Sequence, residues 1–293
     1  MEKVTRLKAK LRMGLVGTSG SGKTLSALYI AYGMTGDWDK IALIDTEHER
    51  GRFYANRSDL PTPTGEFFYS PMSAPYSPEK YIAYVKEACD TVGPDGVVIV
   101  DSFSHAWDNE GGVLDIKTKI EKSSTTKTSF SAWDEAGKIQ NNLINTLLSV
   151  PCHIIVTMRA KMAYAMEQNE KGKTVPVKIG LAPVQRENAE YEFDIVMNIS
   201  RDHTANTSKD TTFLDTFSGV ITPDIGRQLH DWLDNGVEPE RCSDCGNVIT
   251  PYKGRTVEQI VTGSLDNYGR KLCMKCVMAE IKKQKEASDN ASA

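Results

Sequence analysis

The sequence predicts an α/β protein with a mainly parallel, twisted sheet, followed by a small cysteine-bearing module. Three observations predict it. Short apolar runs of strand length alternate with helical patterns through the first two-thirds of the chain, as βαβ units require. A Gly-x4-Gly-Lys-Thr run, Gly17 to Thr24, falls where the first strand pattern gives way to the first helix. Two Cys-x2-Cys pairs, Cys242/Cys245 and Cys273/Cys276, stand together near the C-terminal end.

The elements follow in order. Leu11 to Gly17 reads as a short buried strand, and Gly22 to Met34 as a helix with Leu25, Leu28, Tyr29 and Tyr32 on one side. Ile41 to Asp45 is a second buried strand and Phe67 to Tyr69 a short third. Ser77 to Val92 is a helix, with Ser77 as N-cap, Pro78 in the first position and Glu79 in the first turn. Gly93 to Gly96 is a turn before the strongly apolar strand Val97 to Asp101. Trp133 to Leu148 is a long helix and Cys152 to Met158 another apolar strand. Ala160 to Gly180, polar and rich in Lys, is expected to be a β-ribbon or loop. Strands are expected at Phe193 to Ser200 and Thr211 to Phe217, and a closing helix at Asp224 to Leu233. The expected organisation is an α/β domain over residues 1–236, a four-cysteine module over 240–280 and a frayed tail over 281–293.

Composition narrows the class. With 293 residues, 40% hydrophobic and 25% charged, the chain has an ordinary globular balance. A net charge of −4 excludes a generally basic nucleic-acid coat, so any such contact must come from local clusters. No apolar run approaches the roughly 18 residues of a membrane span. Met1 to Arg12 is of mixed charge without the apolar stretch of a signal peptide, so a cytoplasmic location is expected. Cys89 and Cys152 sit singly in apolar segments and are expected as buried thiols.

The chemistry begins at Gly17, Thr18, Ser19, Gly20, Ser21, Gly22, Lys23 and Thr24. Glycines let the backbone curl so that several N–H groups face one point, and the helix that follows adds its positive end. Lys23 can reach the β- and γ-phosphates of ATP, and Thr24 can ligate Mg2+. Asp101 ends an apolar strand and should emerge at the sheet edge where open α/β folds bind ligands, placed to hold Mg2+ directly or through water. Hydrolysis also needs a carboxylate to orient water, and Asp45 and Glu47, at the end of the second strand, both qualify.

The order of these segments resembles the RecA recombinase family. There too a phosphate-binding loop is followed by a strand ending in Asp-x-Glu-His, here Asp45-Thr46-Glu47-His48, and by a strand ending in Asp-Ser, here Asp101-Ser102. Some 200 residues also look like phage-encoded AAA-type ATP-binding proteins of the RecA-like single-strand-annealing and recombination kind, through Leu43 to Arg52, Val97 to Ser102, Ile154 to Tyr164 and Tyr191 to Asn198. The resemblance implies a RecA-like P-loop NTPase fold, Glu47 as general base and host cytoplasm as location. It implies a γ-phosphate-sensing position at Thr157 or Arg159, with a DNA-contacting loop beyond. That loop carries Lys161, Lys171, Lys173 and Lys178 with Met162, Tyr164 and Met166 between them, suited to phosphate neutralisation and base stacking. A second candidate loop is Lys117 to Ser131, with Phe130 and Trp133 close by. Arg186 or Lys178 could serve a neighbouring subunit's ATP in a homo-oligomer. The sequence departs from the RecA pattern in showing no obvious N-terminal oligomerisation helix and in a shorter second half.

Cys242, Cys245, Cys273 and Cys276 offer four thiolates for a structural Zn2+ in a zinc-ribbon-like module with two hairpin-like pairs. A unit of about 40 residues needs such a metal to fold. Lys253, Arg255, Arg270 and Lys271 give it a basic face. The functional expectation is an Mg2+-dependent ATPase acting on single-stranded DNA in recombination or annealing. The rivals are an ATP-switched module that recruits a single-strand-binding protein with negligible turnover, and a replicative helicase or its loader.

Overall fold

The computed structural model describes residues 5–123, 128–168 and 174–291. Two compact units divide the chain, one over Lys10–Trp232 and one formed by the N-terminal segment to Ala9 with Leu233 onward.

The larger unit is built on one sheet. Its strands are β1 (Arg12–Gly17), β2 (Ile41–Asp45), β3 (Phe68–Pro71), β4 (Val97–Asp101), β5 (His153–Gln168), β6 (Thr174–Pro183), β7 (Ile195–Ile199), β8 (Thr204–Lys209) and β9 (Ser218–Val220). The spatial order is β3-β2-β4-β5-β1-β7-β8-β9. From β3 to β7 every pairing is parallel; β7–β8 and β8–β9 are antiparallel. Strands β1, β2 and β4 are buried along their whole length, which is why their sequences are unbroken apolar runs.

The helices are α1 (Lys23–Thr35), α2 (Pro78–Val92), α3 (His105–Asp108), α4 (Val113–Lys122), α5 (Ser129–Ser149) and α6 (Pro223–Asp234). Ser77 caps α2 by accepting from the Lys80 N–H, as its sequence predicts. The main core joins α2 and α5 to the sheet through Tyr81, Val85, Leu143 and Leu147 against Val98, Val100, Ile154 and Val156. Helices α1 and α6 cross so closely that a Cβ on Gly33 would lie 1.9 Å from the Pro223 carbonyl oxygen, and one on Gly226 2.2 Å from that of Ile30. Among the described residues no helix is long and apolar enough to cross a membrane.

Several expectations need correction. The fifth strand does not stop at Met158 but runs to Gln168, pairing with β6 as an antiparallel ribbon. Thr211 to Phe217 is not a strand. The Asp210 carboxylate accepts from Thr212 N and Oγ1 and from Leu214 N, at 2.9, 2.7 and 2.6 Å, which turns the chain out of the sheet. Most of the loop expected at Lys117 to Ser131 is helical, in α4 and α5; residues 124–127 lie outside the described ones. Cys89 and Cys152, expected as separate thiols, are joined as a disulfide between α2 and the segment before β5.

In the smaller unit a hairpin-like turn carries the first cysteine pair: Cys242 N donates to Asn247 O and Gly246 N to Cys242 O, both at 2.9 Å. Helix α7 (Val257–Tyr268) opens on a Thr256/Gln259 capping box and closes on Gly269 at φ 67°. Helix α8 (Met274–Ala291) begins immediately after Cys273. The second cysteine pair is thus on a helix start, not a hairpin, and the tail expected to fray is helical to Ala291. Cys242, Ile249, Ile260 and Leu272 form the unit's small buried core.

Candidate nucleotide site

Parallel pairing brings the C-terminal ends of β1, β2 and β4, and the end of the parallel stretch of β5 at Arg159, to one sheet edge, with β5 between β1 and β4. In register, Gly17 of β1 lies beside Arg159 of β5, and Asp45 of β2 beside Asp101 of β4. Residues far apart in sequence meet there for that reason alone.

The loop after β1 turns on Gly20 and Gly22, at φ 79° and 90°, a left-handed conformation costly for residues with a Cβ. It leads into α1, whose free N–H groups face the loop's concavity. The Lys23 ammonium donates to Gly17 O at 3.0 Å and Thr18 O at 2.9 Å. Burial lowers its pKa, opposed by the charges of Asp101 and Glu47. His203, from the β7–β8 turn, backs the loop with Nδ1 3.0 Å from Ser21 O.

Asp101 is buried. Thr24 Oγ1 donates to its Oδ2 at 2.5 Å, and Thr157 Oγ1 donates to its Oδ1. Burial pushes the Asp101 carboxyl above its ordinary range, and the two threonine hydrogen bonds pull it back in part. Hydroxyl and carboxylate oxygens on adjacent strand and helix ends are the hard donors that suit Mg2+. Thr24 and Asp101 meet here, and Thr157, expected at a phosphate-sensing position, touches the same carboxylate.

The two carboxylates left open by the sequence part company. Asp45 Oδ1 accepts from Glu47 N at 2.5 Å; its Oδ2 accepts from Gly51 N and Tyr69 Oη, both at 2.8 Å. Its oxygens are thus engaged in shaping the loop after β2. Glu47 instead meets Arg159 in a two-pronged pair, Nε to Oε1 at 2.9 Å and Nη2 to Oε2 at 2.8 Å. Burial would raise the Glu47 pKa, but the Arg159 hydrogen bonds and charge, with smaller help from His105 and Lys23, leave it lowered. His48 is exposed.

Sequence reasoning missed the supports. His105, on α3, is buried beside Glu47, with Nε2 3.8 Å from Oε1. Its Nδ1 is 2.7 Å from Thr46 Oγ1. Ser104 Oγ accepts from Arg159 N at 2.9 Å. The Ser-Phe-Ser-His run after Asp101 was the available signal.

Of the other candidates, Arg186 donates to Asn141 Oδ1 of α5 at 2.7 Å. Lys161, Met162 and Met166 are exposed on the ribbon. Lys171 and Lys173 lie outside the described residues, as do the side chains of Tyr164 and Lys178. On the helices, Trp107 stacks on Trp133 at 6.1 Å between centroids, Lys117 Nζ stands 5.6 Å from the Trp133 ring, and Phe130 is 86% exposed.

In the smaller unit the sulfurs of Cys242, Cys245, Cys273 and Cys276 lie within 4.8 Å of one another, with 3.7 Å between those of Cys245 and Cys273. A tetrahedron with zinc–sulfur bonds of about 2.3 Å has edges of about 3.8 Å, so the cluster can hold a zinc ion. The expected basic face is partly neutralised: Arg270 pairs with Asp244 at 2.7 Å and Lys271 with Glu240 at 2.7 Å.

A family model described as an AAA domain matches residues 9–222. No curated protein matches the chain.

Proposed function

The chain belongs to the AAA-domain family, and from that premise we propose that it is an Mg2+-dependent ATPase that acts on single-stranded DNA during recombination or strand annealing. The observation that carries the catalytic part is the meeting of Lys23, Thr24, Asp101, Thr157, Glu47 and Arg159 at one sheet edge. The backbone N–H groups from Gly17 to Thr24 and the start of α1 cradle the phosphates of ATP, and Lys23 swings from its loop carbonyls onto the β- and γ-phosphates. Thr24 and Asp101 hold Mg2+, which when bound neutralises phosphate charge and fixes its geometry. Glu47 takes a proton from a water whose oxygen forms the new bond to the γ-phosphorus. The bond from that phosphorus to the β–γ bridging oxygen breaks, and ADP leaves with the electron pair. Arg159, level with Gly17 on the adjacent strand, can trade Glu47 for the γ-phosphate.

The DNA part is supported by exposed surface. The half-exposed Trp107–Trp133 stack, exposed Phe130, and the ribbon that starts at Arg159 with Lys161 offer stacking faces and phosphate partners, whereas Lys117 beside the stack is paired with Glu121. The smaller unit, with a structural Zn2+, would recruit a partner such as a single-strand-binding protein, and the protein would work as a homo-oligomer.

The test is ATP turnover with and without single-stranded DNA, for the parent and for Glu47→Gln. The expected result is stimulation by DNA in the parent, and loss of turnover with ATP binding retained in the variant. No stimulation, with no DNA binding in any nucleotide state, removes the DNA assignment. A second reading, an ATP-switched binding module with negligible turnover, draws on the two-pronged Arg159 clamp on Glu47. Undetectable parent hydrolysis in both conditions would favour it.

A further inference from the structure

His105 is 2% exposed and sits at the start of α3, one side on Thr46 and the other on Glu47. Its tautomer is assigned from the contacts of Thr46. Thr46 Oγ1 accepts from Ser102 N at 2.8 Å. Its hydroxyl also stands 3.3 Å from Ser102 O, 2.7 Å from His105 Nδ1 and within hydrogen-bond reach of Tyr81 Oη. With the Thr46 proton assigned to the shortest of these contacts, Nδ1 accepts and the ring proton is on Nε2. That Nε2 is buried and has no hydrogen-bond partner among the described residues. A buried donor in that condition is unfavourable unless an acceptor comes within reach at another point in the cycle. The acceptor it faces is Glu47 Oε1, at 3.8 Å.

Arg159 now holds both Glu47 oxygens. Any turn of Arg159 toward the phosphates strips Oε1 of its partner. We propose that His105 is a positioning residue that takes over Glu47 Oε1 through its Nε2–H when Arg159 leaves, so that Oε2 stays aimed at the attacking water. The inference rests on the reading of Glu47 as the base. The move required is small, a closure of roughly one ångström to reach ordinary hydrogen-bond length. Burial and the Arg159 charge both hold the imidazole below its ordinary pKa, against the pull of Glu47. His105 therefore donates as a neutral group and leaves Glu47 able to accept a proton, which an imidazolium would oppose.

The test compares kcat and KM for ATP hydrolysis in His105→Met, which fills the space without a donor, and His105→Gln, which returns an N–H near the Nε2 position. Glu47→Gln is measured beside them. His105→Met is expected to lower kcat roughly ten- to a hundred-fold, the range for a misaligned reacting group, with KM for ATP unchanged. His105→Gln is expected to recover much of that loss. Equal kcat in the two variants, or a loss confined to KM, overturns the proposal. If His105→Met is too unstable to assay, His105→Asn, which keeps a partner for Thr46 and drops the Nε2 donor, gives the same comparison. Full turnover in Glu47→Gln sinks the underlying reading of the base. An inactive Glu47→Gln with a kinetically silent His105→Met sinks this inference alone.

Discussion

Two carboxylates at one sheet edge respond to pH with opposite signs. Glu47 has its pKa lowered from 4.5, because the Arg159 contacts outweigh burial. Its contribution to stability is therefore complete above the unfolded value and is lost as pH falls through the folded one. The pair is partly solvated, with Arg159 41% exposed, so the contribution is modest. Glu47→Gln should be slightly less stable than the parent at pH 7, and the gap in denaturant midpoint should close as pH falls below about 4.5. A gap that stays constant with pH would mean that the pair does not hold in solution. Asp101 has its pKa raised by burial, so its contribution is present at low pH and lost as pH rises. Asp101→Asn can keep hydrogen bonds to Thr24 and Thr157 without burying a charge. It should raise the melting temperature at pH 7 while abolishing ATP turnover, a trade of stability against activity seen at many sites. A lower melting temperature would show that the two threonines more than offset the burial of charge.

At the scale of elements, the end of α5 depends on a residue from another element. The Arg12 guanidinium of β1 donates to the carbonyls of Leu148, Val150 and Cys152, at 3.1, 2.5 and 2.6 Å, and to its own neighbour Leu11 at 2.9 Å. Burial lowers its pKa to about 10, against the charge of Asp194. A helix C-terminus leaves carbonyls without partners, and Arg12 supplies several at once. Arg12→Met should cost on the order of 3 kcal/mol, measured by chemical denaturation, with the nucleotide site intact in the folded fraction; a cost under about 1 kcal/mol would show that water satisfies those carbonyls. The strand is legible in sequence because Met13 to Val16 is apolar and small. The role of Arg12 is not, since its partners lie 136 to 140 residues on. Likewise Thr211 to Phe217 has strand-like composition, but one Asp210 side chain captures its N–H groups. Helix α7 was missed although its signal is local: Val257, Ile260, Val261, Leu265 and Tyr268 stand at helical spacing after the Thr256/Gln259 capping box. The phosphate loop is legible because its chemistry lies in consecutive residues. The Glu47–Arg159 and Thr46–His105 contacts span 112 and 59 residues and exist only through the strand order.

For the whole molecule, one consequence concerns metal. The smaller unit has four apolar or thiol residues at its centre, too little burial to offset the ordering of its helices. Treatment with a strong chelator should release one zinc per chain and remove helical circular dichroism equivalent to α7 and α8. Cys273→Ser should be purified with little zinc and show the same loss. Full helicity without zinc would mean that packing alone holds the unit. In the larger unit, β5 sets Thr157 and Arg159 on the polar side and Met158 between them in the core, where it packs against Gly14. Because side chains alternate along a strand, one extra residue before Thr157 would exchange the two sides. It would put the Met158 thioether where Arg159 now meets Glu47 and turn a threonine and a guanidinium into the core. The stretch from Ile154 to Arg159 therefore tolerates insertions only in steps of two.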